Sequence, residues 1–324
     1  MCTSISFQTK DHYFGRNLDY EHSYDEKIII SPRTFPFHFK KTSTLSSHYA
    51  IIGMAAIRDN YPLYYDATNE KGLSMAGLLF PQYAHYHSVK PRYDNITPFE
   101  LIPWVLSQCE SIVQAKELLK AVNIIDIPFS SDLPLSPLHW IISDKSGSLV
   151  VESVSDGLFV YDNPVNVLTN NPPFPMQLFN LNNYMSLSPH SPQNTFSQKL
   201  KLAPYSRGMG AMGMPGDLSS SSRFVRSAFT LLNSVSGESE QESVSQFFHI
   251  LNSTAQTRGS VHMGENLYEY TLYSSCVNAD KGIYYYTTYN NSRISAVDMH
   301  KEDLDSDTIK IFPLKNDWSI LMQN

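Results

Sequence analysis

Apolar and small polar positions alternate along residues 2–8 (CTSISFQ), the period of a strand with one buried face. Denser apolar stretches at 27–31 (KIIIS) and 48–57 (HYAIIGMAAI) predict two further strands. LYYDAT and LSMAGLLF flank the turn Asn69-Glu70-Lys71-Gly72, so they pair as a hairpin with Gly72 free to take a positive φ. The period then changes. Thr97-Pro98-Phe99-Glu100 reads as a capping box with proline at the first helical position, opening a helix to about residue 108. Ser111-Ile112-Val113-Gln114 repeats the capping pattern, and AKELLKAV continues it with apolar spacings of three and four. Strands return in LHWIIS, SLVVESV and LFVYD, separated by Asp144-Lys145-Ser146-Gly147 and Ser155-Asp156-Gly157, and again in NVLT at 166–169.

Residues 172–222 are rich in Pro, Ser, Asn and Gly and read as long loops around one short helix near 177–184. Helices are expected at about 223–234 and 241–252. The last third closes on YEYTLYSSCV, the turn Asp280-Lys281-Gly282, IYYYTTY and RISAVDM. Strands, helices, strands, helices, strands, joined by hairpin turns, predict an α+β class: mostly antiparallel sheets with helices grouped on their outer faces. No linker or repeat interrupts the pattern, so residues 1–324 are expected to form one domain.

Composition narrows the function. Twenty Tyr and 17 Phe suit a β-rich core. A net charge of -7 leaves no broad basic surface for nucleic acid. No apolar run approaches the roughly 20 residues that span a bilayer, so no membrane insertion is expected. The N-terminus has no basic segment followed by an apolar core, which argues against a signal peptide. Cys2, Cys109 and Cys276 are odd in number and far apart, which fits a reducing cytoplasm better than a disulfide framework.

Cys2 directly after Met1 is the first unusual feature. Aminopeptidases remove Met before a small side chain, which would leave a cysteine with a free α-amino group. That amine has a pKa of about 7.7–8.0 and suits a general base, so one residue carries nucleophile and base together. Many chains begin Met-Cys by chance, and the surroundings must decide. Phe14-Gly15-Arg16-Asn17-Leu18-Asp19 follows the first strand. If 13–19 runs antiparallel to 2–8, Arg16 and Asp19 both reach the chain start. A guanidinium there favours a thiolate, and a carboxylate can hold the amine; an ordinary surface ion pair is the competing reading.

Met-Cys-Thr followed by Tyr-Phe-Gly-Arg-Asn-Leu-Asp resembles the choloylglycine hydrolase family, which includes bile salt hydrolases and penicillin V acylases. Further matching segments run in order along the chain: NEKGLSMAGL at 69–78, LPLSPLHWIISD at 133–144, NPVNVLTNNP at 163–172, GMPGDLSSSSRFVR at 213–226 and KGIYYYTTYNNS at 281–292. Within the family the resemblance runs nearest the bile salt hydrolases of Gram-positive gut bacteria. It implies a four-layer αββα N-terminal nucleophile sandwich, removal of Met1, no metal or organic cofactor, and a homotetramer. It also implies roles: Cys2 attacks an amide carbonyl while its own amine shuttles the proton, Arg16 sits beside the sulfur, and Asp19 holds the amine. Asn170 donates its side-chain amide to the oxyanion, with Asn171 as the neighbouring alternative, and Arg223 supports the site electrostatically. The implied substrate is a glycine- or taurine-conjugated bile salt. Loops around 20–27, 58–65 and 128–140 would shape its cleft, with Tyr20, Tyr24, Ile57, Tyr65, Phe129 and Leu138 as wall residues. Penicillin V or N-acyl-homoserine lactone acylase activity is the alternative within the same chemistry.

One position departs from the pattern. After Met-Ala-Gly-Leu the bile salt hydrolases usually carry asparagine and the penicillin V acylases often tyrosine; here the residue is Leu79. The family uses this residue's backbone N–H in the oxyanion hole, and leucine keeps it, so activity is expected to survive. The opposing expectation is an inactive bile-acid-binding relative.

Three weaker signals are set aside. Gly208-Met209-Gly210-Ala211-Met212-Gly213 satisfies G-x-G-x-x-G, but a loop precedes it and Pro215-Gly216 follows, so a glycine-rich turn under the floor of the site is expected rather than a dinucleotide loop. His85 and His87 lie in an aromatic loop with no third ligand at matching spacing. Cys109 and Cys276 sit in apolar segments and read as packing residues.

Overall fold

The computed structural model covers residues 1–324. In chain order, β1 (Cys2–Gln8), β2 (His12–Tyr20), β3 (Lys27–Ser31), β4 (Ile51–Arg58), β5 (Tyr61–Asn69) and β6 (Ser74–Leu79) come first. A short β7 (Asp94–Ile96), helices α1 (Leu101–Gln108) and α2 (Ile112–Leu118), and a short β8 (Val122–Ile124) follow. Next are β9 (Leu138–Asp144), β10 (Gly147–Val154), β11 (Gly157–Asp162), β12 (Val167–Leu168) and α3 (Phe174–Asn180). The chain ends with α4 (Ser220–Asn233), α5 (Glu240–Asn252), β13 (Val261–Gly264), β14 (Leu267–Asn278), β15 (Ile283–Thr288), β16 (Ser295–Asp298) and β17 (Lys310–Pro313).

Two large antiparallel sheets carry the architecture. One has the order β12-β1-β2-β14-β15-β16, with β13 also on β14; the other runs β11-β10-β9-β6-β5-β4-β3-β17. Helices α4 and α5 pack on strands of the first, and α1 and α2 on strands of the second. The result is the α+β, αββα sandwich. The unbroken apolar runs have a simple cause: the second sheet is buried on both faces. Ile28 and Ile30 join the cluster shared with Ile5, Phe14 and Cys276, while Ile29 between them points to the opposite cluster with Trp104, Leu106 and Trp140. The same alternation sends Ile141 one way and Ile142 the other. No helix is long and apolar enough to cross a membrane.

Two local expectations shift. The helix opened by Thr97 starts at Leu101, because only half of the capping box forms: the Glu100 carboxylate accepts from Thr97 N (2.9 Å), but Thr97 Oγ1 has no partner. That carboxylate also accepts from Lys40 N (2.6 Å), so it ties the helix start to the preceding loop. The G-x-G-x-x-G segment does not lie under the site. It forms a one-turn 3-10 helix, Met209–Ala211, within a largely exposed loop, where Gly210 is pressed against the carbonyls of Ser188 and His190.

Candidate active site

Strand register assembles the site. β1 pairs with β2 so that Cys2 lies opposite Leu18 and Ser4 opposite Arg16. On its other edge β1 pairs with β12, with Ser4 opposite Leu168. The same antiparallel register carried two residues further sets Asn170 level with Cys2. β14 lies beyond β2 and brings Thr271 opposite Asp19. Cys2, Arg16, Asp19, Asn170 and Arg223 are all buried, and hydrogen bonds link Cys2, Asn170 and Arg223 into one cluster.

Asn170 is the centre of that cluster. Its Oδ1 accepts from Cys2 N (2.9 Å) and from Arg223 Nη2 (2.7 Å), and its Nδ2 donates to the carbonyl of Leu79 (2.7 Å). An amide nitrogen has two hydrogens, so one remains for another acceptor. The N–H and C=O of a strand residue project to the same side. The Leu79 carbonyl faces Asn170, so its N–H does too, and β5 pairs with β6 only as far as Ala76. Leu79 N–H and Asn170 Nδ2 therefore form a pair of adjacent donors at one end of β6. Asn171 is turned elsewhere, donating to Pro81 O (2.7 Å).

Two buried guanidinium groups flank the cysteine. Arg223, in the first turns of α4, donates from Nη1 to Cys2 O (2.5 Å) and Thr3 Oγ1 (2.7 Å), and from Nε to Leu218 O (3.0 Å). Burial pushes this group down from its ordinary value, while Asp19 and Cys2 pull it back up. Arg16 donates from Nη1 to Gly77 O (2.5 Å) and Tyr65 O (3.1 Å), and its Nη2 has no protein partner. Burial would lower Arg16 as well, but Cys2, Tyr273, Asp66 and Asp19 outweigh it and hold the group above its ordinary value. Asp19 and Asp66 supply the opposing charge. Burial raises both carboxyls, with Arg223 opposing most strongly at Asp19 and Arg16 at Asp66.

The Asp19 carboxylate does not touch the Cys2 nitrogen as the resemblance implied. It accepts from Thr271 Oγ1 (2.6 Å) and Gln256 Nε2 (3.2 Å). The reason is Met1. With Met1 attached, the Cys2 nitrogen is an amide whose single hydrogen goes to Asn170. The terminal ammonium belongs to Met1, which pairs with Glu269 Oε1 (2.8 Å) and donates to Asp19 O (2.7 Å).

A cavity of about 340 Å³ opens over Cys2 and Arg16. Of the expected wall residues, Tyr20, Tyr24, Tyr65, Phe129 and Leu138 line it, and so does the Leu79 side chain. Ile57 does not. Along β4 its neighbours Ala56 and Arg58 face the cavity, so alternation turns Ile57 to the other side, against the outer cluster. Arg58, Leu63 and the Leu133–Pro137 segment, inside the expected loops, also line it, whereas Pro98, Phe99 and Ile102 come from outside them. Sequence reasoning missed Asp66, which accepts from Tyr273 Oη (2.8 Å), Tyr284 Oη (2.5 Å) and Ser275 Oγ (3.3 Å) between the sheets. A lone carboxylate inside the apolar strand LYYDAT was the available signal.

The comparisons with known proteins follow the same lines. The family model described as linear amide C–N hydrolases, choloylglycine hydrolase family, matches residues 2–312. A bile salt hydrolase/transferase of Lactiplantibacillus plantarum is 56% identical over 317 residues, 98% of each chain. Its counterpart in Clostridium perfringens is 41% identical over 99% of each. The crystal structure of a C2A mutant conjugated bile acid hydrolase from Clostridium perfringens aligns with a TM-score of 0.93 at 40% identity, covering 100% of both chains. A penicillin V acylase from Agrobacterium tumefaciens aligns with a TM-score of 0.75 at 19% identity, covering 97% of this chain and 91% of that one, a likeness of fold alone.

Proposed function

The chain belongs to the choloylglycine hydrolase family of linear amide C–N hydrolases, and from that premise we propose that it cleaves the amide bond of glycine- or taurine-conjugated bile salts with Cys2 as an N-terminal nucleophile. The observation that carries this reading is the mostly apolar cavity, about 340 Å³, with Cys2 and Arg16 in its wall. That volume falls in the range of small-molecule sites, and its aromatic and aliphatic lining suits a steroid body.

The steps follow from the positions. Removal of Met1 turns the Cys2 nitrogen into an amine. It keeps its bond to Asn170 Oδ1 and gains hydrogens that can reach toward Asp19. The amine takes the thiol proton as Sγ attacks the amide carbonyl, and passes it to the departing glycine or taurine nitrogen. Arg16, with Nη2 unpaired, stabilises the thiolate. Oxyanion charge falls to Leu79 N–H and Asn170 Nδ2; one such donor contributes about 3–4 kcal/mol. Leu79 can do this because the donor is backbone. Water then releases the bile acid from the thioester. A second amine in place of water gives transfer, the other activity in the relatives' names. A homotetramer in the cytoplasm belongs to the same proposal.

The test is turnover of glycocholate, taurocholate and penicillin V by protein whose intact mass shows Met1 absent, beside protein that retains it. Bile-salt cleavage only by the trimmed form is expected. Cleavage of penicillin V alone, or equal activity with Met1 in place, refutes the proposal.

A further inference from the structure

Outside the cluster around Cys2, one buried pair of titratable groups touches both halves of the oxyanion site. His139 on β9 and Glu152 on β10 are 0% and 1% exposed, and the hairpin register that sets Trp140 opposite Val151 brings them side by side. His139 Nε2 bonds to the carbonyl of Thr169 (2.9 Å), and Nδ1 lies 3.2 Å from Glu152 Oε1. That same Oε1 accepts from Phe174 N (2.9 Å). Thr169 immediately precedes Asn170, and Phe174 starts α3 four residues after it. The pair thus fastens both ends of the segment that carries Asn170. The imidazole also lies flat on Phe80, with ring centroids 4.3 Å apart and planes 4° apart, and Phe80 directly follows Leu79.

We propose that the His139–Glu152 pair is the positioning unit of the oxyanion hole, holding Asn170 Nδ2 and Leu79 N–H at a fixed separation. This rests on the oxyanion assignment made above. The hydrogen-bond pattern requires these two residue types. The Thr169 carbonyl only accepts, so Nε2 must carry a hydrogen. Glu152 Oε1 faces a backbone N–H on one side and Nδ1 on the other, so a single oxygen must take part in both bonds. A carboxyl group can do this with one hydrogen held between it and the ring. A glutamine amide cannot: its oxygen in that place meets the bare Nδ1, acceptor against acceptor, and its nitrogen opposes Phe174 N–H. Neither residue lines the cavity, so substrate contact is unaffected.

Glu152→Gln nearly preserves volume, and His139→Phe preserves the stack on Phe80 while deleting both bonds. Each variant is compared with the unsubstituted chain for kcat and KM on glycocholate, and for the rate at which iodoacetamide alkylates Cys2. Alkylation forms no oxyanion, so it reports the nucleophile alone. The expected result is a kcat lower by roughly 10- to 100-fold, with KM and the alkylation rate changed by less than about threefold. Parallel loss of kcat and alkylation, or a kcat within about threefold of the parent in Glu152→Gln, overturns the proposal. If His139→Phe does not fold, Glu152→Gln decides. An unsubstituted chain that cleaves penicillin V but not glycocholate refutes the substrate reading alone, and the same ratios on penicillin V then decide the positioning role. A trimmed chain that cleaves neither amide overturns both.

Discussion

Replacing Asn170 in two ways separates holding the site together from catalysing in it. Asn170→Ala deletes the bonds to Cys2 N, Arg223 Nη2 and Leu79 O, and keeps the backbone bond to Ser220 Oγ at 2.8 Å. Two of the lost bonds are neutral, about 1 kcal/mol each, and the one to a guanidinium is worth about 1.5–3 kcal/mol. A stability loss of about 3–5 kcal/mol is expected. Asn170→Asp keeps an acceptor for Cys2 and gains a carboxylate opposite Arg223, but it turns an oxygen toward the Leu79 carbonyl where Nδ2 had donated. Its stability loss should be smaller, about 1–2 kcal/mol. Both variants lose the oxyanion donor, so both should lose roughly 10²- to 10³-fold in kcat. Urea unfolding followed by circular dichroism gives the stability, and glycocholate turnover by trimmed protein gives kcat. The two variants should differ in midpoint and agree in kcat. An Asn170→Asp enzyme with kcat within about tenfold of the parent would show that Nδ2 is not an oxyanion donor.

Three further outcomes are expected. Burial lowers His12 from 6.5 to about 4; between those values the unfolded chain holds the proton and the folded chain does not. Stability is therefore fully present above pH 6.5 and is lost as pH falls toward 4, on the order of 3 kcal/mol in all, and His12→Gln should flatten that slope between urea midpoints at pH 7 and 4.5. An unchanged slope in the variant rejects the assignment. Phe129→Ala should raise KM for glycocholate by about tenfold through lost apolar contact, while Ile57→Ala should change it by less than about twofold and act on the melting temperature instead. Comparable KM shifts in both would mean that the wall is wrongly drawn. Leu79→Asn should leave kcat within about tenfold of the parent, because the backbone donor is common to both; activity appearing only in the Asn variant would identify the natural chain as a binder.

Much of the fold was legible because the strands are amphipathic or doubly buried, and each pattern has its own period. Residues 2–8 and 13–19 pair as anticipated, and that pairing alone brings Arg16 and Asp19 to the chain start. The helix after Thr97 begins later than expected because Thr97 Oγ1 finds no partner and half of its capping box is missing, although the helix ends at Gln108 as its apolar spacing requires. Ile57 was named as a wall residue, but regular alternation along β4 puts it on the face of Ile51 and Ala55, and which face of a strand looks into a cavity cannot be read from composition. Gln256 and Thr271 act on residues far away in sequence, so no local spacing marks them. The His139–Glu152 pair was within reach. The turn at Asp144–Gly147 fixes the hairpin register, and that register places a histidine and a glutamate in neighbouring strands of an otherwise apolar interior.

Met1 does more than extend β1. Its ammonium neutralises Glu269, a carboxyl that burial raises above its usual range. Excision of one residue would carry that positive charge about 3.4 Å along the strand, away from Glu269 and into the company of Asn170 and Asp19. On the proposed mechanism the untrimmed chain is a latent form that is already folded, with its cavity shaped and its donors in place. What it lacks is only a protonatable nitrogen beside the sulfur, so activation becomes a relocation of charge rather than a rearrangement of structure.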